Sequence, residues 1–227
     1  MSLDGNTSAT SGGAPPRTIG ILLFPGVEEL DAIGPWEVLS YWTQHFPDDG
    51  WRVFCFSADG NPVTCAKGLT VQAHRSAAEL PALDVLIHPG GRGTRPMLTD
   101  EAHLAWVRRE RERVPLMASV CTGALVYAAA GLLSGRPATT HWASLDELRE
   151  LDPTIDVRAG ERFVDDGDVL TSAGISAGID MSFHLVARLT SPERAERVRK
   201  GIEYAPEPLV PAGVVGLSPP REGLVAG

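Results

Sequence analysis

The chain has 227 residues, 43% of them apolar, enough for one substantial core, so a single α/β domain is expected and two domains are not. A formal charge of −9 argues against nucleic acid as the main partner, and the Arg-rich stretches near Arg108 and Arg194 alternate with Glu as on ordinary solvated helix faces. Three cysteines, Cys55, Cys65 and Cys121, with no C-x-x-C pair, suggest neither a disulfide framework nor a zinc site, and suit a reducing compartment.

Residues 1–17 are rich in Ser, Gly, Thr, Ala and Pro, with neither a basic start nor an apolar stretch, and read as a disordered leader rather than a signal peptide. No apolar run approaches the ~18 to 20 residues that cross a bilayer, so a cytoplasmic protein without membrane contact is expected. The domain is placed at 18–213, with a Pro- and Gly-rich tail over 214–227.

Thr18 to Phe24 is a nearly continuous apolar run closed by Pro25-Gly26, the pattern of a buried parallel strand. Leu30, Ile33, Val38, Leu39 and Trp42 give helical spacing over Glu29 to Phe46, and Gly34-Pro35 is expected to end or kink its first turn. Trp51 to Ser57 reads as a second strand, Val63 to His74 as a hairpin around Lys67-Gly68, and Leu83 to His88 as a buried strand ending in Pro89-Gly90-Gly91. Asp100 caps a helix through Arg113 that turns Trp106 and Val107 to the core.

Next comes an apolar run, Leu116 to Val120, that changes abruptly into the small-residue segment Cys121-Thr122-Gly123-Ala124. This is the grammar of a strand-turn-helix elbow, which lifts a nucleophile out of a sheet and aims backbone N–H groups at it. A free thiol is only a few per cent ionised at neutral pH, and a helix N-terminus is expected to lower its pKa and favour the thiolate. The plain alternative is that Cys121 is a small core residue. Beyond the elbow, Ala138 to Trp142 reads as a short strand, and Ser144 as the cap of a helix through Leu151. Residues 155–158, 162–164 and 169–172 read as short strands, followed by a helix from about Ser176 to Leu189 that resumes after Pro192 and runs to Tyr204. Strands alternating with helices predict a doubly wound α/β fold with a mostly parallel sheet, whose reactive groups collect at the carboxyl ends of strands. The loops after Phe24, His88, Val120 and Thr171 are the candidates.

Four motifs, Phe24 to Val38, His88-Pro89-Gly90-Gly91, Ala118 to Ala124 and Ala138 to Trp142, together resemble the ThiJ/PfpI superfamily. The resemblance spans about 18 to 213, and Gly201-Ile202-Glu203-Tyr204 before a Pro-containing tail is similar to the isonitrile (isocyanide) hydratase branch. It implies a flavodoxin-like, class I glutamine amidotransferase-like fold, a Cys121 nucleophile, and a carboxylic acid, here Asp31, hydrogen-bonded to it. An acid beside a thiolate is expected to keep its proton. Asp31 with Thr122 after the cysteine is the hydratase combination. Cys-His at the elbow, frequent in protease relatives, and the late His-x-Glu of glutamine amidotransferases are both absent.

The implied activity is hydration of an isonitrile to an N-substituted formamide through a covalent thioimidate, with no metal or organic cofactor. The amides of Thr122 and Gly91 are expected to stabilise charge on the adduct, and His141 to tune the thiol. A homodimer acting on a small molecule is implied by resemblance. A glyoxalase, deglycase or other cysteine hydrolase is the enzymatic alternative. A ligand-sensing domain related to AraC-type regulators is the non-catalytic one, disfavoured by the expectation that the chain stops too soon for a DNA-binding region.

Overall fold

A computed structural model describes residues 16–206. The expected tail and the expected leader up to residue 15 lie outside the described residues, and Arg17, placed in that leader, opens the first strand. The elements are β1 (Arg17–Leu22), α1 (Glu29–His45), β2 (Trp51–Ser57), β3 (Val63–Thr64), β4 (Thr70–Val71), β5 (Arg75–Ser76) and β6 (Val85–His88). Then follow α2 (Thr94–Met97), α3 (Glu101–Arg113), β7 (Leu116–Val120), α4 (Gly123–Ala129), β8 (Pro137–Ala138) and α5 (Leu145–Leu151). The described chain closes with β9 (Asp156–Val157), β10 (Phe163–Asp165), β11 (Val169–Ser172), α6 (Ala177–Leu189) and α7 (Pro192–Gly201).

Seven strands form one sheet in the order β10-β11-β7-β6-β1-β2-β5, and every pairing is parallel except β10 with β11. Taken from β2 to β11, this is the 2-1-3-4-5 order of flavodoxin-like sheets. The central strands β6 and β7 are buried at every residue, because helices cover both faces and leave no solvent side for alternation. Ile19, Ile21, Leu86, Ile87, Met117 and Val120 lie in this core, each contributing roughly 1.5–3 kcal/mol by burial.

Of the two outcomes expected at Gly34-Pro35, an end to the helix does not occur: α1 runs through Pro35, which removes one backbone donor. Two expectations need correction. The strand expected over Ala138 to Trp142 is only Pro137–Ala138, paired with β9 outside the main sheet; Thr139 N–H bonds the Thr171 side-chain Oγ1 at 2.9 Å instead of a neighbouring strand. The last helix stops at Gly201, three residues short of Tyr204. The Asp100 cap is present, its carboxylate accepting from the amides of Ala102 and His103. No helix among the described residues is long and apolar enough to cross a membrane.

Candidate active site

The carboxyl ends of β1, β6, β7 and β11 converge. Cys121 follows β7 with φ 57°, a left-handed conformation rare outside glycine and costly by about 1–3 kcal/mol. Its surroundings hold it there: Cys121 N–H donates to Ser172 O at 3.1 Å, and the Thr140 hydroxyl donates to Cys121 O at 2.8 Å. The amides of Thr122 and Ile175 both direct hydrogen bonds at the sulfur. Ile175, in the β11–α6 loop, is itself left-handed at φ 56°.

Asp31 lies in the first turn of α1 and is fully buried. Its Oδ2 accepts the Gly90 amide at 2.9 Å. Its Oδ1 has no well-aligned partner among the described residues; the Cys121 thiol is the neighbouring donor, close enough for each group to shift the titration of the other. Burial pushes the Asp31 pKa from 3.8 up to about 7, the Gly90 N–H opposing it.

The thiol behaves differently from the expectation. Burial, reinforced by the Asp31 charge, raises the Cys121 pKa to about 12, and the two amides only partly offset this. Helix α4 is seven residues long and the sulfur sits beneath the surface, so desolvation outweighs the helix end. The resting pair is therefore a neutral thiol beside a carboxyl group that titrates near neutrality. Thiolate forms when Asp31 takes the proton, which leaves the total proton count of the pair unchanged.

The Gly91 amide is spent elsewhere. It donates to Thr122 Oγ1 at 2.9 Å and is not free to bind an oxyanion; the second amide at the sulfur belongs to Ile175. Thr122 therefore faces two ways, its N–H toward sulfur and its hydroxyl toward the glycine loop, where the Thr94 hydroxyl lies 3.1 Å away. Gly90 allows the close approach: a Cβ there would lie 2.6 Å from Thr122 Oγ1 and 2.9 Å from Cys121 Cβ.

A cleft of about 350 Å³ opens at the thiol, lined by Cys121, Thr122, Ile175, Glu28, Arg92 and His141 among others. The His141 ring packs on Gly174, its Nδ1 accepts the Ala143 amide at 3.3 Å, and burial lowers its pKa, keeping it neutral. Glu28 pairs with Lys67 of the β3–β4 turn, which straps this edge of the cleft. Trp42 is in the core, whereas Trp142 is 77% exposed beside His141. Asp180 accepts from Arg162 and from Tyr204 Oη, a structural role away from the thiol. Among the described residues no group of three or more His, Cys, Asp or Glu could hold a metal ion.

An acid next to a buried thiol at a strand-turn-helix elbow has the form of a site for covalent chemistry. A profile of the DJ-1/PfpI family matches residues 17–188. The chain belongs to the DJ-1/PfpI family. It is 40% identical over 202 residues to an isonitrile hydratase of Pseudomonas putida, covering 88% of this chain and 84% of that protein. It is 33% identical to the HTH-type transcriptional regulator CdhR of Pseudomonas aeruginosa, over 78% of this chain and 52% of the regulator. Among solved structures, a ThiJ/PfpI family protein of Pseudomonas syringae superimposes with a TM-score of 0.77 at 29% identity, over 92% of this chain and 86% of that one.

The sequence reading placed Cys121, Asp31, Thr122 and His141 around one site, and all four meet at or beneath this cleft. Ile175 and Thr94 carry no such signal in the sequence, whereas Gly90-Gly91 reads as a place of close backbone approach, which the structure shows at Gly90. The loop Ala173 to Ala177 had been a candidate by topology, but a left-handed isoleucine carries no local sequence signal.

Proposed function

We propose that the protein hydrates isonitriles, R–N≡C, to N-substituted formamides. The observation that carries this reading is the Cys121–Asp31 pair: a buried carboxyl with one oxygen anchored by Gly90 and the other left without a well-aligned protein partner among the described residues, neighbouring the Cys121 thiol and titrating near neutrality. The identity with the Pseudomonas putida hydratase supports the same chemistry.

Asp31 takes the thiol proton and passes it to the terminal carbon of the isonitrile while sulfur bonds to that carbon, giving the thioimidate R–N=CH–S–Cys121. Water then adds to the C=N carbon and its proton goes to nitrogen. The resulting R–NH–CH(OH)–S–Cys121 expels sulfur, which regains a proton from the new hydroxyl through Asp31, releasing R–NH–CHO. The Thr122 and Ile175 amides stabilise sulfur when it is anionic, at addition and at departure. The cleft that Cys121 shares with Glu28, Arg92 and His141 leaves room for the R group and the attacking water. The three free cysteines, all buried, suit a reducing cytoplasm.

The test is turnover of an aryl isonitrile, followed by formamide release, with mass spectrometry of the trapped protein. The expected result is turnover and an adduct on the Cys121 peptide, both lost in Cys121→Ala, with Asp31→Asn slower by roughly 10²–10⁴-fold. Wild-type rates in both variants, or no adduct on Cys121, would overturn the assignment. The identity with CdhR favours a second reading, a ligand-sensing domain; binding of small molecules without any turnover would select it.

A further inference from the structure

Outside the lining of the cleft, two histidines form a pair that the chemistry above does not use. His88, the last residue of β6, is fully buried, and its Nε2 lies 3.1 Å from Nε2 of His103 on α3. His88 Nδ1 lies 2.8 Å from the Pro89 carbonyl oxygen. Burial holds His88 at a pKa of about 3 and lowers that of His103, so both rings are neutral.

Neutral imidazoles with these partners have only one arrangement of protons. A carbonyl oxygen only accepts, so His88 Nδ1 carries hydrogen and its Nε2 is bare; His103 must then donate through Nε2–H. The hydrogen bonds run one way. His103 donates to His88, His88 donates to Pro89 O, and the Pro89–Gly90 peptide unit donates through the Gly90 N–H to Asp31 Oδ2 at 2.9 Å. A hydrogen bond to a peptide oxygen draws electron density from its nitrogen and makes the N–H of the same unit a stronger donor. The chain crosses from α3, on the surface, to the buried carboxyl without a break.

We propose that His88 and His103 are positioning residues for Asp31, orienting and polarising the Pro89–Gly90 peptide so that it stabilises the carboxylate at the reacting thiol. The proposal rests on the reading of Asp31 as partner of Cys121, but not on the substrate. The other charged or titratable groups around these residues are Glu28 and Lys67 near Asp31, Tyr127 of α4 beside His88, and Asp100 at the start of α3 near His103. None is altered in the variants below.

The test compares His103→Leu, which removes the donor, with His103→Gln, whose Nε2 keeps it. The readout is the pH dependence of Cys121 alkylation by iodoacetamide, followed on the Cys121 peptide, because reactivity rises as the pair loses its first proton. The expected midpoint moves upward by several tenths of a pH unit in His103→Leu and stays near wild type in His103→Gln. Equal midpoints in both variants and wild type, with unchanged circular dichroism, would overturn the proposal. A measurement on the unmodified protein guards against a variant that does not fold: long-range ¹⁵N–¹H spectra should show His88 protonated at Nδ1 and His103 at Nε2, and His88 found with Nε2–H sinks the relay. Isonitrile turnover is measured separately. If turnover is absent while the alkylation midpoints move as expected, the hydratase reading fails and the relay stands.

Discussion

Gly91 N–H donates to Thr122 Oγ1 at 2.9 Å, tying the glycine loop after β6 to the elbow after β7 across 31 positions of sequence. The bond makes the residue after the cysteine a structural clasp as well as the owner of an amide at sulfur. Thr122→Val keeps the shape and the backbone donor but orphans the Gly91 amide, at a cost of about 1–3 kcal/mol. Thr122→Ser keeps the hydroxyl and is expected to lose much less. Urea denaturation of the three proteins decides it, and equal midpoints would mean the hydroxyl is idle.

Gly90 permits that clasp. Its missing side chain makes room for Thr122 and Cys121, with Cys121 Cβ only 2.9 Å from where a Cβ would stand, and its amide anchors Asp31. In Gly90→Ala the neighbours are backbone and a strained elbow, which do not yield, so overpacking is expected to cost upwards of 1–3 kcal/mol. Turnover should fall together with the melting temperature. A variant as stable and as active as wild type would refute the packing argument.

These contacts mark what could and could not be read from residues alone. The elbow was legible because an apolar run turning into small residues has few other meanings, and the strand alternation was enough for the parallel sheet. Asp31 was legible through its motif rather than through periodicity, since its place in the first turn of α1 is that of an ordinary cap. What failed depended on distant partners. Gly91 was assigned to the oxyanion because nothing local shows that a threonine 31 residues away captures its amide. The thiol was assigned a lowered pKa from the helix end alone, whereas the depth of burial, fixed by the whole sheet, decides the sign. Thr139 to Trp142 left the strand pattern because Thr171 takes the Thr139 amide through its side chain.

His141 offers a smaller effect. It is neutral and held by backbone, with its ring on Gly174, so it acts on the cleft through shape rather than charge. His141→Asn is expected to change KM more than kcat and to leave the pH dependence of kcat/KM unmoved. Loss of a limb of that profile in the variant would give His141 a proton-transfer role.

Asp31 is buried against its own ionisation, and this has a measurable consequence for stability. Its folded pKa, about 7, lies above the ordinary 3.8, so the folded state binds more protons than the unfolded chain between these values. Stability from this group is fully present below about pH 4 and is lost as pH rises through about 7; by the linkage relation the loss is of the order of 4 kcal/mol above that range. Asp31→Asn removes the charge and retains an oxygen for the Gly90 amide. At pH 8 the variant is therefore expected to be more stable than wild type by up to a few kcal/mol, while at pH 4.5 the linkage relation leaves an advantage of only about 1 kcal/mol. Such a gain with loss of turnover is the trade expected where a site stores an unfavourable charge for chemistry. Chemical denaturation of both proteins at the two pH values is the check: an advantage of equal size at both would place its origin in packing, and a less stable variant at pH 8 would mean that the carboxylate is held comfortably after all.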